Sequence, residues 1–405
     1  MPTVSEAIPP FVPTWWLPTA DLQTIVTSYL PASPAAAADR TFEVALEDGD
    51  RLVCQENDPR PGEAGAGEAD PADGPGVSVR TDLIDPVERR AFLARFDAEG
   101  GAVGDDAAAP GSDPEAPIAV LIHGLGGSHL SPYVVRMTAR LVGRGWRVVR
   151  ADMRGFGQSA WTCRRHTHAG QGEDVAAILD DLTGRYPGAP LAVVGYSLGG
   201  NMVLRYLAEA GAAHPSRLIT GVAVCPPIDL TACAANIRRF RNRLYDASFT
   251  NNLWRMVRAR RKAVADLHDR EMTRRPRALA EFDDWYTAPL HGFRDAADYY
   301  DQASSGPHLG RIAAPTLIVA SADDPIIPFP MFDRWPVPES VTLVTTEKGG
   351  HVGWLGRPGD DPDGWWMDWR VVGWLTSRRE AFTAPRPLCR SASPGIAGFS
   401  ALAGH

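Results

Sequence analysis

Ser197 stands between Gly195 and Gly199 in the run Leu191-Ala192-Val193-Val194-Gly195-Tyr196-Ser197-Leu198-Gly199-Gly200. Four apolar residues lead into Gly195, and an amphipathic stretch runs on to Gly211. That pattern is a strand, a turn too tight for side chains at its flanks, and a helix. Such a turn lifts a hydroxyl above the edge of a sheet. The helix behind it aims free N–H groups and a partial positive charge at an anion forming there. The chemistry it suits is attack on an acyl carbonyl, with the backbone N–H of Leu198 as first donor to the oxyanion.

A neutral serine needs a base, and the base needs an acid to orient it. Both are expected later in the chain, acid before histidine. Asp323 and Asp324 follow the buried-strand pattern "LIVAS", and His351 follows "VTLVTTEKGG". Asp324 is the preferred acid because Pro325 and Pro328 fix its turn, with Asp323 the alternative. The glycine-rich stretch "LIHGLGGSHL" supplies the second oxyanion donor, the N–H of Leu125, with Gly126 the next choice. His123 reads as a structural imidazole bonded to nearby backbone. His166 and His168 lie two apart, but no third ligand stands at matching spacing, so neither a metal nor a cofactor is expected.

The elements that must hold these residues form an α/β pattern. From Pro117 onward, apolar strands alternate with amphipathic helices, which argues for a mostly parallel sheet with helices on both faces. Residues 117–230 form the first part of this core and 306–380 the second. Between them, 231–305 is a helical insertion placed to cover the site as a lid. "TFEVALEDGDRLVCQE" reads as a hairpin turning at Asp48-Gly49. It completes an N-terminal unit, 1–55, which opens with Trp15, Trp16, Leu17, Leu22 and Ile25 among prolines and whose aromatics are expected to bury. Residues 56–116 read as an acidic Gly/Ala/Pro-rich insertion, largely disordered, with one short capped helix from Asp85 toward Gly100. Residues 381–405 read as a disordered tail.

Totals exclude several classes. The net charge of −8 is local: residues 56–115 hold 15 acids and 5 bases, which leaves +2 for the remainder. Five scattered cysteines signal neither a disulfide frame nor a zinc ribbon. Neither a signal peptide nor a run of about 18 apolar residues is evident, and a cytoplasmic protein is expected. From Asn236 to Lys262 nine basic residues face one acid, with aromatics between them. This makes the lid a candidate for peripheral contact with a membrane surface. No nucleic-acid partner and no obligate protein partner are expected.

Together the motifs "FVPTWWLPTADLQTI", "LEDGDRLV", "HGLGGSHLSPY", "MRGFGQS", "GYSLGGNMVLRYL", "FDDWYTAPLHGFRDAADYYDQASS", "ADDP" and "GGHVGW" resemble the α/β-hydrolase superfamily. Within it they resemble the YheT-like branch, which includes ABHD-type acylglycerol and phospholipid hydrolases. The resemblance runs from Phe11 to about Trp374. It implies a serine esterase or lipase acting on lipid-like acyl esters, with Ser197, Asp324 and His351 as catalytic triad. An acyltransferase or thioesterase on the same triad, or a non-catalytic binding protein on the same scaffold, are the alternatives. The chain departs from the pattern at Asp21, where relatives tend to carry histidine, and in the length of its acidic insertion.

Overall fold

The computed structural model describes residues 8–30, 37–62, 113–261, 274–359 and 361–384. Its centre is an eight-stranded sheet in the order β1-β2-β4-β3-β5-β6-β7-β8. The strands are β1 Arg40–Ala45, β2 Arg51–Asn57, β3 Ile118–Ile122, β4 Arg147–Ala151, β5 Leu191–Tyr196, β6 Leu218–Val224, β7 Thr316–Ser321 and β8 Val341–Thr346. From β4 to β8 every pairing is parallel. The β1–β2 hairpin is added antiparallel on the β4 edge. β3, β5, β6 and β7 are buried along their whole length. Helices on both faces impose this and explain why these strands read as continuous apolar runs.

The described α-helices of eight residues or more are α1 Ala20–Tyr29, α2 Pro132–Val142, α3 Gly172–Arg185, α4 Leu198–Ala210, α5 Leu230–Ile237, α6 Arg243–Arg261, α7 Ala296–Ala303 and α8 Trp366–Thr383. α5 to α7 lie between β6 and β7, so the described part of the predicted insertion is largely helical, with bends and turns at 274–278 and 291–295. A π turn, Asp283–Thr287, interrupts it. Strand order changes direction at β3. The loops leaving β5, β7 and β8 therefore gather at the carboxyl edge of the sheet, where ligands of open α/β sheets bind.

Three expectations need correction. Glu56 and Asn57 do not belong to a disordered insertion, since both complete β2. Glu56 and Asp58 serve as counter-ions to Arg40 and the buried Arg147, so burial of the guanidinium draws these acids inward. Residues 63–112, including the expected helix near Asp85, lie outside the described residues. The tail does not begin at residue 381 either. α8 continues through Ala381 to Thr383, because "SRREAFT" contains no helix breaker before Pro385.

The third correction concerns the N-terminal unit. Trp15 and Trp16, expected to bury, are exposed; Leu22 and Ile25 are exposed with them, and Leu17 is buried. α1 docks through its polar residues instead. Gln23 donates to the carbonyls of Leu17 and Leu355 and accepts from Leu355 N–H, and Thr24 and Thr27 are buried beside it. The α1 face with hydrogen-bonding groups meets the core, and the apolar face meets solvent.

Candidate active site

The turn after β5 explains its glycines. A side chain at Gly195 would lie 2.2 Å from the carbonyl oxygen of Gly199, and one at Gly199 would lie 2.5 Å from that of His123. Both positions therefore require glycine. The turn forces Ser197 to φ 51° and ψ −118°, a conformation held only where surrounding structure over-determines it. Ser197 N–H donates to Val224 O at 2.8 Å, extending the ladder to β6. Within 191–200, Ser197 alone escapes full burial.

Two loops bring the partners. Ser197 Oγ lies 2.9 Å from His351 Nε2, and His351 Nδ1 lies 2.7 Å from Asp324 Oδ2. A carboxylate can only accept, so Nδ1 carries the proton and Nε2 is free to take one from the serine. Asp324 Oδ1 accepts from the N–H groups of Ile326 and Ile327 at 2.8 and 2.9 Å. Asp323 sits elsewhere: its carboxylate accepts from Gly350 N–H at 2.9 Å and from the Ser321 hydroxyl at 2.5 Å. The two adjacent acids thus divide the work. One faces the imidazole, and the other ties down the loop that presents it.

The glycine-rich stretch after β3 closes the other side. A side chain at Gly124 would come 3.1 Å from Ser197 Cβ, so this backbone lies against the serine. Among the described residues, neither Leu125 N–H nor Leu198 N–H has a protein acceptor. His123 is buried, and its Nδ1–H donates to Gly124 O at 2.8 Å while Nε2 accepts from Met153 N–H at 3.1 Å. Burial holds its pKa below the ordinary value, in keeping with a neutral structural ring.

Five supporting residues carry no catalytic signature of their own. Tyr133 Oη accepts from Gly124 N–H at 2.9 Å. Buried Asp152 accepts from His129 N–H, His129 Nδ1–H and Gln158 N–H, clamping the "HGLGGSH" loop to the "MRGFGQS" loop. Thr24 accepts from His351 N–H at 2.8 Å. Asn236 in the lid donates to the carbonyls of Pro325 and Ile326 at 2.9 and 3.0 Å, and Asn242 donates to Pro325 O at 2.7 Å. Only their coincidence with recurring motifs ("DLQT", "GSHLSPY") hinted that some were more than surface residues.

Cys225 Sγ, a carboxylate oxygen of Asp324 and a ring nitrogen of His351 lie within 4.8 Å of one another, the one such group among the described residues. Their electron pairs are already engaged: both Asp324 oxygens accept hydrogen bonds, and His351 Nδ1 donates one. Burial, and next the charge of Asp324, pushes the Cys225 thiol well above its ordinary pKa, the reverse of what a thiolate ligand needs. The group fits a hydrogen-bonded chain better than a metal centre. His291 of the 231–305 insertion clusters with His166 and His168, with the rings of His168 and His291 4.5 Å apart. His291 Nε2–H donates to His166 O at 2.7 Å. Burial lowers all three, His291 to about 4, so they pack as neutral rings at the joint between lid and sheet.

No described helix is long and apolar enough to cross a membrane. The family model described as the alpha/beta hydrolase fold matches residues 117–358. The chain is 38% identical over 280 residues to the YheT esterase of Escherichia coli, covering 67% of this chain and 80% of that one. It is 30% identical to the phospholipase ABHD3 of Mus musculus, covering 69% and 67%. With the monoacylglycerol lipase of Saccharomyces cerevisiae it shares 27% identity, covering 60% and 56%. With this sheet order, this strand–serine–helix turn and these relatives, the chain belongs to the α/β-hydrolase family, in its YheT-like and ABHD-like branch.

Proposed function

We propose that this protein hydrolyses carboxylic esters of lipid-like acyl groups through Ser197, His351 and Asp324 and a covalent acyl-enzyme. The observation that carries the reading is the continuous hydrogen-bonded chain from Ser197 Oγ through His351 to Asp324. It ends at a serine held partly exposed in a strained turn. Relatives named as esterase, phospholipase and monoacylglycerol lipase support the substrate class.

In this reading Ser197 Oγ attacks the acyl carbonyl while His351 Nε2 takes its proton. Asp324 stabilises the imidazolium that forms. The N–H groups of Leu198 and Leu125 receive the negative oxygen of the tetrahedral intermediate. Donors fixed in place before the reaction cost no reorganisation, and losing one such donor typically slows turnover by about 100- to 1,000-fold. The intermediate collapses with cleavage of the ester C–O bond, and His351 returns the proton to the leaving alcohol. Water, deprotonated by the same imidazole, then attacks the acyl-enzyme, releasing the carboxylic acid and restoring Ser197.

Purified protein and the Ser197→Ala variant assayed on p-nitrophenyl esters from acetate to palmitate test this reading. Wild type is expected to turn over at least one chain length well above the variant. Equal rates for the two at every length would refute it.

A further inference from the structure

The lid's basic charge is not spread over one face. Arg260 is fully buried and donates to the carbonyls of Ala160 and Cys163. Leu253, Met256 and Val257 join the core. Outside, Arg255, Arg258 and Arg261 are exposed toward the end of α6, and a second exposed group stands at the start of the insertion. From Leu230 to Tyr245 the sequence has four arginines and no acid. Arg238, Arg239, Arg241 and Arg243 are all exposed. Between them Phe240 and Leu244 are 79% and 76% exposed.

The inverted helix α1 completes this face. Trp15 is 82% exposed, and Trp16, Leu22 and Ile25 are exposed with it. The two parts are joined: Tyr245 Oη donates to Asp21 Oδ1 at 2.9 Å, and Arg241 lies 3.6 Å from Asp21. Asp21 is the one acid between residues 8 and 30, and the lid already engages it. The result is a cluster of large apolar side chains beside guanidinium groups. Clusters of this kind mark interaction sites rather than ordinary surface.

We propose that this face docks the protein on an anionic lipid surface, with Trp15, Phe240 and Leu244 entering the interface and the arginines meeting lipid phosphates. Tryptophan favours the boundary between headgroups and acyl chains. Guanidinium forks match phosphate oxygens, and each cation near an anionic leaflet adds attraction. A second copy suits the face less well, because a two-fold contact would set arginines against arginines. The face also lies behind the reacting groups: α1 carries Leu22 and Ile25 outward and Thr24 inward, where its hydroxyl accepts from His351 N–H. Delivery of substrate from that surface rests on the ester-hydrolase reading, whereas binding does not.

Co-sedimentation of the full chain with vesicles tests the proposal. One set is phosphatidylcholine alone, and the other contains about 30 mol% phosphatidylglycerol. Wild type is expected to partition onto the anionic vesicles at least about tenfold more strongly, with the difference shrinking in high salt. The triple variant Trp15→Ala, Phe240→Ala, Leu244→Ala and the double variant Arg238→Gln, Arg239→Gln are each expected to lose about tenfold of that partition. Both keep wild-type turnover of a water-soluble short ester, and Ser197→Ala binds vesicles as wild type does. Variants that partition like wild type would overturn the proposal. So would a wild type that ignores both vesicle sets, or one found by light scattering as a dimer that the triple variant dissolves.

Discussion

The backbone N–H of His351 donates to the Thr24 hydroxyl at 2.8 Å, across 327 positions of chain. Thr24 in turn donates to Ala20 O at 2.8 Å, so its one proton is committed and a lone pair is left to face His351 N–H. The N-terminal helix thereby sets the height at which the imidazole meets Ser197. Thr24→Val removes the acceptor and leaves a buried N–H unpaired, which costs about 1–3 kcal/mol of stability. It is expected to lower kcat by about ten- to a hundredfold with KM little changed. Thr24→Ser restores both. Steady-state kinetics on one soluble ester, together with urea unfolding, check this, and a Val variant with wild-type kcat would remove Thr24 from the account.

The neighbouring acids are separable by kinetics. Asp324→Asn leaves a ring that can no longer hold its proton on Nδ1, and kcat is expected to fall by about 10⁴-fold. Asp323→Asn keeps an acceptor for Gly350 N–H and is expected to cost less than about tenfold. The reverse order of the two losses would mean that Asp323 is the acid of the triad.

The 231–305 insertion is bonded to the loop that carries Asp324. Asn236 Nδ2 holds the Pro325 and Ile326 carbonyls directly after Asp324. Asn236→Ala is expected to cost about 1–3 kcal/mol of stability and to reduce kcat about tenfold. A variant that unfolds earlier but turns over normally would show that these bonds serve the fold alone.

Asp283 in the π turn gives a pH signature. It accepts from Tyr300 Oη and Thr287 Oγ1 at 2.7 and 2.8 Å, and burial raises its carboxyl to about 6. Its folded value lies above its unfolded one, so its contribution to stability is fully present below about pH 4 and lost as the pH rises through about 6. Asp283→Asn has no such loss. Relative to wild type it is expected to gain up to about 3 kcal/mol between about pH 4 and pH 7. Urea midpoints at the two pH values measure the gain, and a constant gap would contradict it.

How much of this was legible beforehand depends on the range of the interaction. The turn at Ser197 is specified within a few residues, because a buried strand, two obligatory glycines and an amphipathic helix adjoin one another. The β1–β2 hairpin was readable for the same reason. Thr24, Asn236, Asn242 and Asp152 act through hydrogen bonds to backbone far away in the chain, and nothing in their own neighbourhoods announces those partners. Trp15 and Trp16 stand exposed, although aromatic side chains in such a segment point to burial. The inward face of α1 is polar instead: Gln23 and Thr24 satisfy loop backbone that an apolar face would leave unpaired, and Thr27 donates to Gln23 O within the helix. Arg260 shows the converse, a charge counted as surface that the fold buries against three carbonyls.

The central claim is that Ser197 is the nucleophile. Wild type and Ser197→Ala would each be incubated with a fluorophosphonate, and the intact protein mass measured before and after. One stable adduct is expected on wild type, located to the peptide containing Ser197, and none on the variant. A wild type that gains no mass, or an adduct that persists in Ser197→Ala, would contradict it.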